Sequence, residues 1–154
     1  MARRGFTLIE ILIVVVILGI LAGIVVAQFV GVSDDVEKQA FMTSGRIFTE
    51  ASVRFFMDNG VYPEDSSSGA LPSGFGYYIT HSQWLGGTPI GGVWDSENTS
   101  FGYTHCLGVH FNGAGITRND AYMQEIDAVI DDGNLGTGFF RKIAGSRYYF
   151  IIAP

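Results

Sequence analysis

The chain of 154 residues has one cysteine, Cys106, so no internal disulfide can brace it. Of its four prolines none precedes Pro63, so everything before that point is free of the strongest helix breaker. Basic residues are scarce: nine Lys and Arg stand against fifteen Asp and Glu, for a formal net charge of −6. That balance lacks the electrostatic footprint of nucleic-acid binding, and no nucleic-acid partner is expected. No phosphate-cradling glycine loop and no nucleophile–base pair stands out, and His81 has no recognisable partner. Nothing therefore points to an enzyme. There is no internal repeat.

The most informative absence is that of charge between Ile11 and Ser33. A helix of about 20 apolar residues crosses a bilayer core of roughly 30 Å. This run is longer than the ~7–15 apolar residues of a secretory signal, and no small-residue cleavage site follows it. Arg3 and Arg4 on the short N-terminal flank predict a cytoplasmic N-terminus with the remainder exported. Glu10 is the exception within the apolar stretch. A central acid costs at least ~2.5 kcal/mol on insertion scales, although a helix start partly favours negative charge. Either the acid reaches up to the headgroups, or another chain supplies a cation. Gly19 and Gly23 form a small-xxx-small pair, either merely tolerated or packing helices closely together.

Beyond Ser33 the pattern becomes amphipathic. Val36, Ala40, Phe41, Ile47, Phe48, Ala51 and Phe55 recur at helical spacing, and Glu50 with Arg54 makes an i,i+4 pair. Asp58-Asn59-Gly60 followed by Pro63 is the expected ending, so one helix is predicted from Phe6 to about Asp58. Residues 64–92 read as a loop region whose Phe75, Tyr77, Tyr78, Ile79, Trp84 and Leu85 pack onto that helix. Phe101 to Phe111 alternate with period two, predicting a strand with one buried face and a partner near Gly92–Asp95. Residues 120–132 return to helical spacing, with Asn119 or Thr117 as the start cap and Gly133 at the end. Two short strands, 139–144 and 147–153, close the chain around Gly145-Ser146. The expected class is α+β: a long N-terminal helix, membrane-spanning in its first half, on a small antiparallel sheet with one extra short helix. The expected division is a leader over 1–5, an anchor and assembly segment over 6–33, and an exported domain over 34–154.

Two groups resemble metal ligands. On a strand His105 and Cys106 point to opposite faces, and Cys106 and His110 lie about 13 Å apart at ~3.3 Å per residue. These three are expected to be ordinary strand residues. Asp127, Asp131 and Asp132 crowd a helix end whose dipole disfavours acids. Oxygen ligands suit calcium, but the spacing matches no calcium motif, and the expectation is a solvated acidic end with no cofactor.

Gly5-Phe6-Thr7-Leu8-Ile9-Glu10, running into Val14-Val15-Val16-Ile17-Leu18-Gly19-Ile20-Leu21-Ala22, resembles the N-terminus of type IV pilins and type II secretion pseudopilins, the major pseudopilin in particular. The resemblance implies a pilin-like fold and cleavage by prepilin peptidase between Gly5 and Phe6. It also implies N-methylation of Phe6 and pairing of Glu10 with the amino terminus of a neighbouring subunit. Loss of residues 1–5 would remove two of the nine basic residues. The implied partners are further copies of the chain, other pilin-like subunits, the peptidase, an inner-membrane assembly platform and the lipid bilayer. The implied location is the bacterial inner membrane and then a periplasmic or cell-surface fibre. Major pseudopilins bind calcium in this half of the chain, so the resemblance keeps that ion in view. Many type IV pilins close the C-terminal region with a disulfide; with one cysteine this chain tilts towards the pseudopilins. The family often has proline where Ala27 stands, which leaves open whether the helix melts in a fibre. The rivals are a major or minor type IV pilin, serving adhesion, motility or DNA uptake, and a membrane-anchored binding protein that never polymerises.

Overall fold

A computed structural model of the chain describes residues 7–113 and 115–154, with residues 26–32 as backbone only. The chain divides into two compact units, Met1–Val36 and Glu37–Pro154. Helix α1 spans Leu8–Asn59 and stays regular through Ala27. It ends where predicted: Gly60 takes a left-handed φ of 73° and its N–H donates to the Phe56 carbonyl at 2.8 Å.

In the second unit α1 buries Phe41, Gly45, Phe48, Ala51, Ser52 and Phe55. This stripe is narrower than the sequence pattern suggests. Val36 is 61% and Ile47 44% exposed, and Ala40 is exposed as well. Only a stripe about 100° wide meets the sheet, so apolar residues flanking it stay outside. A Cβ at Gly45 would collide with the Phe150 ring, so glycine is what lets the helix come close to the sheet there. Glu50 pairs with Arg46 at 3.0 Å rather than with Arg54; both are i,i+4 choices on an exposed face.

Residues 64–92 are less loop-like than expected. They contain a 3-10 turn at Phe75–Tyr77 and a short helix α2 at His81–Leu85. Five residues are too few for a periodic signal, and the Gly and Pro around them mask the turn. Phe75, Ile79 and Trp84 are buried as predicted, whereas Tyr77 (94%) and Leu85 (61%) face outwards.

The sheet has strands β1 (Val93–Asn98), β2 (His105–His110), β3 (Phe140–Ala144) and β4 (Arg147–Ala153), in the antiparallel order β1-β2-β4-β3. Strand β2 is shorter than its alternating pattern. Phe101 and Gly102 have positive φ, and the chain turns there to reach β1. Trp94, Leu107, Val109, Phe140, Tyr148 and Phe150 form the core with Phe41 and Phe48. Trp94 stacks on Phe41 at 5.3 Å and meets Phe48 edge-on at 4.8 Å. The expectation of a single buried face fails: Asp95, Glu97 and Cys106, on the opposite face, are buried too. Helix α3 (Asp120–Ile130) precedes β3, with Asn119 Oδ1 accepting the Tyr122 N–H at 3.0 Å as its N-cap. It buries Met123, Ile126 and Asp127, while Val129 is 66% exposed.

Candidate functional site

Three places carry the sequence-derived site residues. The scissile pair Gly5 and Phe6, the latter also the methylation position, lies outside the described residues. Four residues on, Glu10 sits in the first turn of α1. The Thr7 backbone N–H and hydroxyl both donate to Glu10 Oε2 at 2.8 Å, and the Glu10 N–H reaches back to Thr7 Oγ1 at 3.4 Å. This is a capping box, which starts the helix and fixes the rotamer of the acid. Thr7 is not among the residues singled out from sequence, although Thr7-Leu8-Ile9-Glu10 carries the capping-box spacing. Its donors are neutral, so they orient the carboxylate without cancelling its charge.

Above this box Leu8–Val25 has a mean hydropathy of 3.1, is long and apolar enough to cross a membrane, and is wholly uncovered within its own chain. Added Cβ atoms at Gly19 and Gly23 would meet nothing, so both small-residue positions present open surface. They are free to accept a second helix or lipid.

The third place is the end of α3. Oxygens of Asp127, Asp131 and Asp132 all lie within 4.8 Å of one another, the one such group of potential metal ligands among the described residues. Asp132 accepts the Asn134 N–H at 2.8 Å and the Thr137 hydroxyl at 2.7 Å, and Asp131 accepts the Phe139 N–H. The loop 133–139 thus folds back over two of the acids, and a Cβ at Gly138 would collide with Asp131. Asp127 differs from its neighbours. It is fully buried, and its carboxylate oxygens have no hydrogen bond of good geometry; the Asn134 and Gly133 backbone N–H groups face it and only partly offset its burial. The expected solvated acidic end is therefore wrong for this residue: it is an i,i+4 mate of Asp131 on the inward side of α3. Burial first, and then the Asp132 and Asp131 charges, push its carboxyl up to about 6. A buried, poorly satisfied carboxylate beside two more acids fits a hard cation with oxygen ligands.

The structure does not bring His105, Cys106 and His110 together. His105 is buried on the helix side, stacked on Tyr62 at 4.7 Å, with Nδ1 3.1 Å from the Glu97 carbonyl. Burial holds it neutral and pushes its pKa down to about 4. Cys106 is buried on the other face, where burial pushes its thiol up to about 12, far from a reactive thiolate.

Comparison with known proteins agrees with the N-terminal chemistry. Residues 1–26 match the prokaryotic N-terminal methylation motif. The chain is 39% identical over 62 residues to the type II secretion system core protein G of Klebsiella michiganensis, covering 40% of this chain and 44% of the relative. It is 42% identical over 61 residues to core protein G of Vibrio cholerae, covering 40% and 42%. The matched stretch thus spans less than half the length of these curated relatives. Among solved structures, the major type IV pilin PilA1 of Clostridium difficile matches with a TM-score of 0.55 at 16% identity, over 79% of this chain and 97% of that one, a likeness of fold. The chain carries a prokaryotic N-terminal methylation motif, is homologous over two-fifths of its length to the major pseudopilin of type II secretion, and has a pilin-like α+β fold.

Proposed function

We propose that the chain is a structural, non-enzymatic subunit of an exported fibre, a pseudopilin of a type II secretion system. In this reading prepilin peptidase cuts the precursor between Gly5 and Phe6 and methylates Phe6. The subunit then waits in the inner membrane as a single-pass protein with a cytoplasmic N-terminus, and an assembly platform moves it into a fibre of like subunits. The observation that carries the proposal is the junction of two features. The methylation motif over residues 1–26 contains Leu8–Val25, the first half of α1, an apolar span that nothing in its own chain covers. Lipid covers such a surface before assembly, and neighbouring helices cover it afterwards. The likeness to a major type IV pilin over 79% of the chain favours, as a second reading, a pilus subunit built by the same chemistry.

Gly5→Leu tests processing. A side chain at the residue before the cut should block a subsite shaped for glycine. Mass spectrometry of membrane protein made with active peptidase should show wild type starting at methylated Phe6 and the variant retaining Met1. A wild-type chain starting only at Met1 would remove the prepilin reading.

The acids at the end of α3 are proposed to hold one calcium ion, with Asp127 as the inner ligand. The ion supplies positive charge where three carboxylates and the helix dipole leave an excess of negative charge. With the folded pKa of Asp127 raised to about 6 from 3.8, its contribution to stability is complete below pH 3.8 and lost as pH rises through 6. His105 acts the other way: its contribution is present above pH 6.5 and lost as pH falls towards 4. At pH 7.5 in chelator, Asp127→Asn is therefore expected to be more stable than wild type, by at most ~3 kcal/mol, the free energy of a shift from 3.8 to about 6. Added calcium should raise the wild-type melting temperature and leave that of the variant unmoved. Identical melting of wild type with and without calcium would refute the site.

A further inference from the structure

A polar cleft of about 620 Å³ opens on the sheet face away from α1, and nothing proposed above uses it. Its floor is Arg147, whose Nη1 bonds Asp95 Oδ2 at 3.2 Å and pairs with Glu97. Asp95 is 1% exposed and also accepts the Ser68 hydroxyl at 2.8 Å and the Tyr149 hydroxyl at 2.5 Å. His110 Nδ1 lies 2.8 Å from the same Ser68 oxygen. Ser68 has one proton and gives it to Asp95, so His110 donates to Ser68. The serine thus lies between histidine and aspartate as a structural link, and the trio is not a catalytic triad.

One wall is the stretch Asp65–Ser68. It is pinned by the Gly69 N–H on the Trp94 carbonyl at 2.9 Å and by Ser66 Oγ on the Ala70 carbonyl at 3.1 Å. Ser67 Oγ takes part in none of these bonds. The opposite wall is the β1–β2 turn, where Thr99 and Phe101 hold φ of 56° and 55°. Left-handed backbone is costly for such residues and survives where the surroundings impose it, often at binding sites. The Phe101 ring is 48% exposed at the rim, with the Arg147 guanidinium over one side of it, 5.5 Å from its centroid, and its other side open.

The lining narrows the ligand class. Asp65 and Glu97 outnumber the single Arg147 in the lining, and Asp95 lies buried behind it, which disfavours an anion. The like charge of Asp65, after burial, already pushes the Glu97 carboxyl up. The group of convergent potential metal ligands lies elsewhere, at the end of α3. The polar lining gives an apolar ligand little to contact. What remains is short-range alternation of donors and acceptors: serine hydroxyls that do both, carboxylates that accept and a guanidinium that donates. Beside them stands one flat apolar face. A sugar ring matches it, with hydroxyls around its edge and C–H bonds on its face. The volume lies within the ~300–1,000 Å³ usual for small-ligand sites. We infer that this cleft is a saccharide-binding site for a neutral or N-acetylated glycan, with Phe101 as the stacking face and Ser67, Glu97 and Arg147 as the polar contacts. This inference is independent of fibre formation.

The test is saturation-transfer NMR on the full chain in zwitterionic, sugar-free detergent micelles, with chitotriose and maltotriose as probes. Transfer to at least one sugar is expected. Phe101→Gly relieves the backbone strain and removes the ring; it should weaken binding about tenfold, or 1.4 kcal/mol. Ser67→Leu should reduce binding by filling the cleft, and Thr43→Ala, far along α1, should leave it unchanged. No transfer to either sugar, or equal binding by wild type and Phe101→Gly, would overturn the inference.

Discussion

A fragment starting at Gly60 is expected to aggregate, whereas one starting at Asp34 is expected to fold and stay soluble. The shorter fragment keeps all four strands but loses Phe41, Phe48, Ala51 and Phe55. Trp94, which stacks on Phe41 and meets Phe48 edge-on, would face water, as would Phe150, 5.8 Å from Phe41. Each fully buried aromatic contributes roughly 1.5–3 kcal/mol, and a domain of this size has about 5–15 kcal/mol in all. Losing three phenylalanines therefore removes most of the margin. The longer fragment also keeps the ion pair of Glu37 with Arg118, at 2.6 Å, and that of Lys38 with Glu125. Thermal melting and size-exclusion chromatography check this; equal melting of the two fragments would contradict the packing.

Glu10→Gln is expected to leave membrane insertion and cleavage intact and to abolish fibres. Removing a charge makes an apolar segment easier to insert, and the change lies beyond the scissile bond. The amide oxygen introduced by the substitution would still accept the Thr7 donors that now meet Oε2 at 2.8 Å, so the helix start should persist. What glutamine lacks is charge. In the proposed processing, cleavage would leave Phe6 with an ammonium, and methylation would leave it able to stay protonated. A subunit leaving the lipid brings Glu10 into an apolar helix bundle, where an isolated charge is strongly disfavoured. In the proposed fibre a neighbouring Phe6 ammonium would offset that cost if the helices are staggered, and the pairing would set the stagger. Thr7 sharpens the expectation, because both of its donors converge on one oxygen of Glu10. Glu10→Ala loses both the cap and the charge and is expected to fail as well.

Much of this was legible in the sequence because the signals are periodic or local. The uncharged stretch from Ile11 to Ser33, the Asn119 cap and the Gly60 stop each depend on a few adjacent residues, and each appears where the pattern places it. The Gly145-Ser146 turn between β3 and β4 was readable for the same reason. What stayed hidden depends on contacts remote in the chain. Cys106 and Asp95 look like outward-facing strand residues, yet both are buried, and Ser68 closes over Asp95 from 27 residues away. The burial of Asp127 follows from how α3 docks, and three acids in a row of six positions read equally well as a solvated surface. Val36 and Ile47 read as core because hydrophobicity alone does not reveal how wide a stripe the sheet covers.

The central claim is that the chain polymerises through its N-terminal helix, with the Glu10 carboxylate as an assembly contact. Its most direct test is fibre yield by shearing and electron microscopy, for wild type and Glu10→Gln side by side, with cleaved membrane-bound monomer quantified in each. The account predicts equal cleaved monomer in both strains, with fibres from wild type and none from the variant. Wild-type fibre yield from Glu10→Gln would contradict it.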